Sequence, residues 1–298
     1  MLRLLTFLLF LPVWGANMIQ AQADPAGTGQ VLKARIGSNL KRLPSATDLV
    51  QDSINMAIKA DLRALLDKDD AHTADFEDLQ MTRVDAPDGA FRLFTWNLPR
   101  NDGQHLFEGF LLARTPKGQA LYELRDMTAK IPSPEVPELG PDKWYGALYY
   151  EVVPRQKGGR TVYTLLGWKG HSKAETRKVI EILTFKSGKP RFGAPLFGSG
   201  SSATPRNAGS KLKAMRKVYG YAANLSMTLR YDPSLEAIIM DHLSPSRADL
   251  KDNWAFYGPD MTHDGFYWHK GEWWFGPEID LRAPDTGKPG GAKDKGSR

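Results

Sequence analysis

The stretch Trp144–Phe185, WYGALYYEVVPRQKGGRTVYTLLGWKGHSKAETRKVIEILTF, decides the fold. Three segments in it are dense in β-branched and aromatic residues: Trp144–Val153, Thr161–Trp168 and Lys178–Phe185. Such side chains fit a pleated, packed surface. Lys157-Gly158-Gly159 separates the first two as a hairpin loop does. In Trp144–Val153 both alternate faces are apolar or aromatic, which predicts a strand covered on both sides.

The same grammar extends in both directions. Upstream, Asp88-Gly89 is a turn signal before Phe91–Trp96, and His105–Arg114 and Ala120–Asp126 follow, with Lys117-Gly118 between them. Downstream of Ser187-Gly188, Leu225–Tyr231 and Glu236–Asp241 are joined by Asp232-Pro233, a good turn start. Gly265–Trp268 and Glu272–Phe275 are joined by His269-Lys270-Gly271. No fixed-period repeat is present. The expectation is a mainly β protein, an antiparallel meander arranged as a propeller, a sandwich or a twisted open sheet.

One amphipathic helix precedes the strands. Ser45-Ala46-Thr47-Asp48 after Pro44 suggests a capping box. Val50, Ile54, Ile58, Leu62 and Leu65/Leu66 then recur at helical spacing, ending near Lys68. Its polar face is not basic, so it should cover a sheet and not a membrane. Residues 24–44 read as a flexible lead-in. The four prolines of Ile131–Pro141 predict an extended, exposed segment. A flexible insertion is expected near 198–210 and a disordered tail over 283–298. Residues 45–282 then form a single β-rich domain.

The N-terminus has the layout of a secretory signal peptide. Met1-Leu2-Arg3 is a short basic region, Leu4–Val13 is apolar, and Ala21-Gln22-Ala23 places small residues at a cleavage site. Spanning a bilayer takes about 20 apolar residues, so Leu4–Val13 is too short, and no later run is long enough. Cleavage after Ala23 would send the mature chain to the periplasm or outside the cell. The absence of cysteine excludes a lipid-modified N-terminal cysteine. A chain of 298 residues can rely on its core in place of disulfides. The net charge of +6 has no Arg/Lys stripe with interleaved aromatics, so nucleic acid is not an expected partner.

Several segments taken together resemble a group of uncharacterised exported proteins of the Bacteroidota. They are Phe91–Asn97, Trp144–Tyr150, Tyr163–Trp168, Arg177–Ile180, Met227–Asp232, Asp241–Pro245 and Tyr257–Asp260. The resemblance covers about residue 45 to 282. It implies a Gram-negative exported protein and carries no activity and no catalytic residues.

Candidate chemistry concentrates in Asp241–Phe275, which holds three of the six histidines and four of the eight tryptophans. Asp241, His242 and Ser244 invite a triad reading. Neighbours on a strand point to opposite faces, however, and no Gly-x-Ser-x-Gly elbow is present. Imidazole and carboxylate suit a divalent metal, and Asp241, His242, Asp260, His263 and Asp264 are the residues that would hold one. Their spacing fixes no geometry, and Asp260 after Pro259 and Asp264 before Gly265 also fit turn chemistry. Trp268, Trp273 and Trp274 flank one tight hairpin and could stack on a sugar ring, with at least one of the adjacent pair in the core. The favoured expectation is an exported, non-catalytic binding or envelope-associated protein without a cofactor, its partner a glycan or envelope component. The alternative is a metal-assisted hydrolase built on Asp241–Asp264.

Overall fold

The computed structural model describes residues 25–198 and 213–281. The signal-peptide expectation, nearly all of the 198–210 insertion and the 283–298 tail lie outside those residues.

Two helices open the described chain. The first, α1, spans Pro25–Arg42, where the sequence suggests only a lead-in. It has three glycines and no acidic residue in its first turn, so its local signal is weak; packing on α2 supplies the rest. Helix α2 spans Asp48–Leu66 and buries Ile54, Ile58, Leu62, Leu65 and Leu66 of the residues whose spacing predicts it, while Val50 is exposed. Its N-cap is Thr47, with no side-chain capping hydrogen bond, so the suggested capping box does not form.

Among the described residues thirteen strands make three antiparallel sheets. The first sheet runs in the order β1 (Thr82–Asp85), β2 (Phe91–Pro99), β3 (His105–Thr115) and β4 (Gly118–Arg125). The central sheet holds β5 (Leu148–Lys157), β6 (Arg160–Gly170) and β7 (Glu175–Lys186), followed by β8 (Lys189–Phe192) and β9 (Arg216–Ala222). Strand β7 shares its outer edge between the last two: residues 175–181 pair with β9 and residues 183–186 with β8. The third sheet runs β10 (Leu229–Asp232), β11 (Ala237–Pro245), β12 (Tyr257–His269) and β13 (Glu272–Gly276). Ser187-Gly188 and Lys270-Gly271 both take positive φ, the geometry of two-residue hairpin turns that match strand twist.

The sheets stack with the helices into four layers. Phe94, Trp96, Leu98, Phe110 and Leu112 of the first sheet face the helices. Alternation turns Phe91, Leu93, Phe107 and Leu111 the other way, onto Tyr163, Leu165, Val179 and Leu183 of the central sheet. Leu166, Ile180 and Ile182 on its opposite face pack against Leu229, Ile238, Met240, Phe266 and Trp273 of the third sheet. Strands covered on both faces put apolar residues on both alternations, as Leu93 and Phe94 of β2 and Val179 and Ile180 of β7 do. The architecture is mainly β and antiparallel, with no closed barrel among the described residues.

Two expectations are corrected here. Trp144–Ala147 is buried but precedes the strand, which begins at Leu148. Ile131–Pro141 is not simply exposed: Ile131, Glu135 and Leu139 are buried. The segment is anchored by Arg216, which donates to the carbonyls of Pro134, Pro137 and Phe192 and pairs with Glu181 at 2.7 Å. Among the described residues no helix is long and apolar enough to cross a membrane.

Candidate functional site

Strand pairing sorts the predicted residues of β11 and β12. Met240 lies opposite Asp264, and Asp241 lies opposite His263. Alternation puts these two pairs on opposite faces of the sheet. Asp264 shares its face with Phe266 and is buried. His242, two residues after Met240, reaches Asp264 diagonally: Nδ1 lies 2.7 Å from Asp264 Oδ2. Asp264 Oδ1 accepts the Glu278 backbone N–H at 3.2 Å. On the other face His263 Nε2 lies 3.5 Å from Asp241 Oδ1, while Asp241 Oδ2 accepts the Thr228 N–H at 2.7 Å. Asp241 and His242 thus each find a partner on β12, and never each other.

The ladder is irregular at this point. Pairing resumes at Leu243 and Pro259, so Asp260-Met261-Thr262 stands opposite His242 alone. Met261 takes φ +72° and is 94% exposed. A bulge of this kind re-aims side chains. Asp260 Oδ1 accepts both the backbone N–H (3.1 Å) and the hydroxyl (2.7 Å) of Thr262, and Ser244 bonds the same carboxylate. Burial raises the Asp260 carboxyl, but these bonds outweigh it and hold it below the usual range. Asp260 Oδ2 stands 3.8 Å from His242 Nε2, too long for a hydrogen bond.

These positions correct the turn reading of Asp264, which is within β12 as the partner of His242. Asp260 does bond its own backbone, at a bulge inside a strand. The five candidate metal ligands do not converge. His263 and Asp241 are on the face opposite Asp264, and among the described residues no group of three or more His, Asp or Glu is placed to hold a metal.

The three tryptophans also separate. Trp273 is fully buried, stacked edge-on against Trp268 at 5.1 Å, and its Nε1 donates to Thr164 Oγ1 at 2.8 Å. Trp268 is half-buried on the same face. Trp274 faces the other way and is 41% exposed, opposite Tyr267 in the register of the hairpin. Three atoms of the Trp274 indole lie against the Cα of Gly198, where an added Cβ would meet them at 2.9–3.3 Å. Tyr267 lies similarly over Gly276. His269 and Glu272 close the hairpin, and Lys213 bonds both oxygens of Glu272 at 2.6 Å. Those Lys213 bonds, against the opposing cost of burial, keep the Glu272 carboxyl below the usual range.

Sequence reading missed Tyr219 and Tyr267. Tyr219 lies on β9, whose alternation Lys217-Val-Tyr-Gly-Tyr221 is itself a strand signal. Its buried hydroxyl has no hydrogen-bond partner among the described residues, and burial with the nearby Glu135 and Asp264 carboxylates pushes it well up. Tyr267 could have been found by counting the hairpin ladder back from His269 and Glu272.

No protein family, curated protein or solved structure matches this chain.

Proposed function

We propose that this protein is an exported binding protein of a Gram-negative envelope, akin to the Bacteroidota group it resembles. Its ligand surface is the face of β12 and β13 that carries Tyr267 and Trp274. The single observation behind this reading is the indole of Trp274, backed by Gly198 and left 41% exposed. An aromatic ring held against backbone is a preformed platform that loses little entropy on binding. His269 and Glu272 beside it offer hydrogen-bond partners. Flat apolar rings with polar neighbours suit the alternating C–H and hydroxyl faces of a sugar, so a glycan is the proposed ligand class. Export is supported by Met1–Ala23, and the chain would begin at Asp24 after cleavage.

A glycan array on the mature chain, followed by calorimetric titration of any ligand it yields, tests the reading. Trp274→Ala should abolish binding without changing the thermal midpoint. Equal binding by wild type, Trp274→Ala and Tyr267→Ala would reject this surface. Mass spectrometry of the protein recovered from periplasm should give an N-terminus at Asp24; an intact Met1 would reject the export reading.

A further inference from the structure

We infer that His242, oriented by Asp264, is the general base of a second, hydrolytic site that takes carboxylic esters bearing a small apolar group. The argument starts with the two ends of the imidazole. Nδ1 is bonded to a carboxylate whose side chain is only 8% exposed. A buried carboxylate at Nδ1 keeps the proton there, leaving the Nε2 lone pair available and stabilising the imidazolium that forms. The His242 side chain is 45% exposed, so Nε2 is within reach of solvent. Asp260, 3.8 Å away, does not block Nε2 but adds a second negative charge beside the developing cation.

Two exposed apolar side chains lie along the bulge. Met261 stands opposite His242, and Leu225 lies over Gly258, the partner of Ser244; both are exposed. They provide apolar contact for an acyl or alkyl group.

The reaction balances with water alone. Nε2 takes a proton from water as the water oxygen bonds to the acyl carbon, and the carbonyl electrons move to oxygen. The tetrahedral intermediate collapses, the acyl carbon–alkoxy oxygen bond breaks, and the imidazolium returns its proton to the leaving alkoxide. The products are a carboxylic acid and an alcohol.

The probes are p-nitrophenyl acetate and butyrate, with the full mature chain. Wild type should exceed the same concentration of free imidazole. His242→Gln should lose at least about 100-fold, the lower end of general-base contributions. Asp264→Asn should lower kcat with KM unchanged, and the ¹⁵N spectrum of His242 should change from one tautomer to a mixture. Met261→Lys, at a fully exposed position, should raise KM for butyrate more than for acetate. Asp249→Ala, at an exposed position outside both sites, should leave the rate unchanged. Wild type no faster than imidazole, or His242→Gln as fast as wild type, would overturn the proposal. So would an unchanged tautomer and kcat in Asp264→Asn, an unchanged KM in Met261→Lys, or an acyl adduct on Ser244 with loss of rate in Ser244→Ala.

Discussion

Two acid–base pairs in this molecule have similar close contacts and opposite surroundings. Arg216 and Glu181 meet at 2.7 Å with neither side chain exposed. His242 and Asp264 also meet at 2.7 Å, but the histidine is open to solvent. The guanidinium uses its remaining N–H groups on the Pro134, Pro137 and Phe192 carbonyls. Glu181 also receives the backbone N–H of Ile182. All three guanidinium nitrogens and both carboxylate oxygens are engaged, so the pair holds structure: it ties the Pro-rich segment to the central sheet. In the second pair His242 Nε2 makes no hydrogen bond among the described residues, and Asp260 Oδ2 stands 3.8 Å from it. A charge pair with every partner protein-bound fixes geometry, whereas one with a spare lone pair toward water is equipped for chemistry.

The comparison is tested most severely by removing one partner from the closed pair. Arg216→Met leaves Glu181 buried without its cation, which typically costs about 3–5 kcal/mol. Urea denaturation should show that loss, and limited proteolysis should cut between Ile131 and Pro141. Asp264→Asn, at the open pair, should lower the urea midpoint far less. Equal losses would erase the distinction.

Lys169 gives a second, pH-dependent contrast. It is buried between the rings of Phe107 and Tyr145, and its Nζ donates to Thr128 Oγ1 (2.8 Å) and Gly146 O (2.6 Å). Burial, with Arg177 nearby and only partly countered by Asp126, pulls its ammonium down to about 8. The unfolded chain keeps that proton to a higher pH, so it binds more protons than the native state above about pH 8. Stability from this group therefore rises with pH between about 8 and the ordinary lysine value, by roughly 3 kcal/mol from a shift of this size. Lys169→Met should remove that rise, read as the difference between wild-type and variant urea midpoints at pH 7 and pH 10. A constant difference across that range would contradict a depressed proton affinity.

The smallest expected effect belongs to Arg247 and Asp249, a pair exposed on both sides. Solvent and salt screen such a pair, so Asp249→Ala should leave the thermal midpoint within error. A clear loss there would show that exposure is a poor guide to which pairs matter.

Much of the sheet structure was legible in the residues. The β-branched and aromatic runs and the Gly-containing turns placed most strands, because local period and turn chemistry need no distant partner. Helix α2 was legible for the same reason. Helix α1 was not, because its glycines make it depend on packing against α2. Strand β9 was overlooked despite a readable alternation. The anchoring of Ile131–Pro141 was invisible, since proline content says nothing about a guanidinium many residues away.

At the candidate sites the sequence alone separated Asp241 from His242 and Trp273 from Trp274, because adjacent residues on a strand must diverge. It supplied the residue types but no distances between them. Only the tertiary structure decided that Asp264 meets His242, that His263 goes with Asp241, and that Trp274 is the open indole. Those outcomes depend on the register of β11 against β12, on the bulge at Met261 and on the approach of Gly198, each set by contacts between segments far apart in the chain.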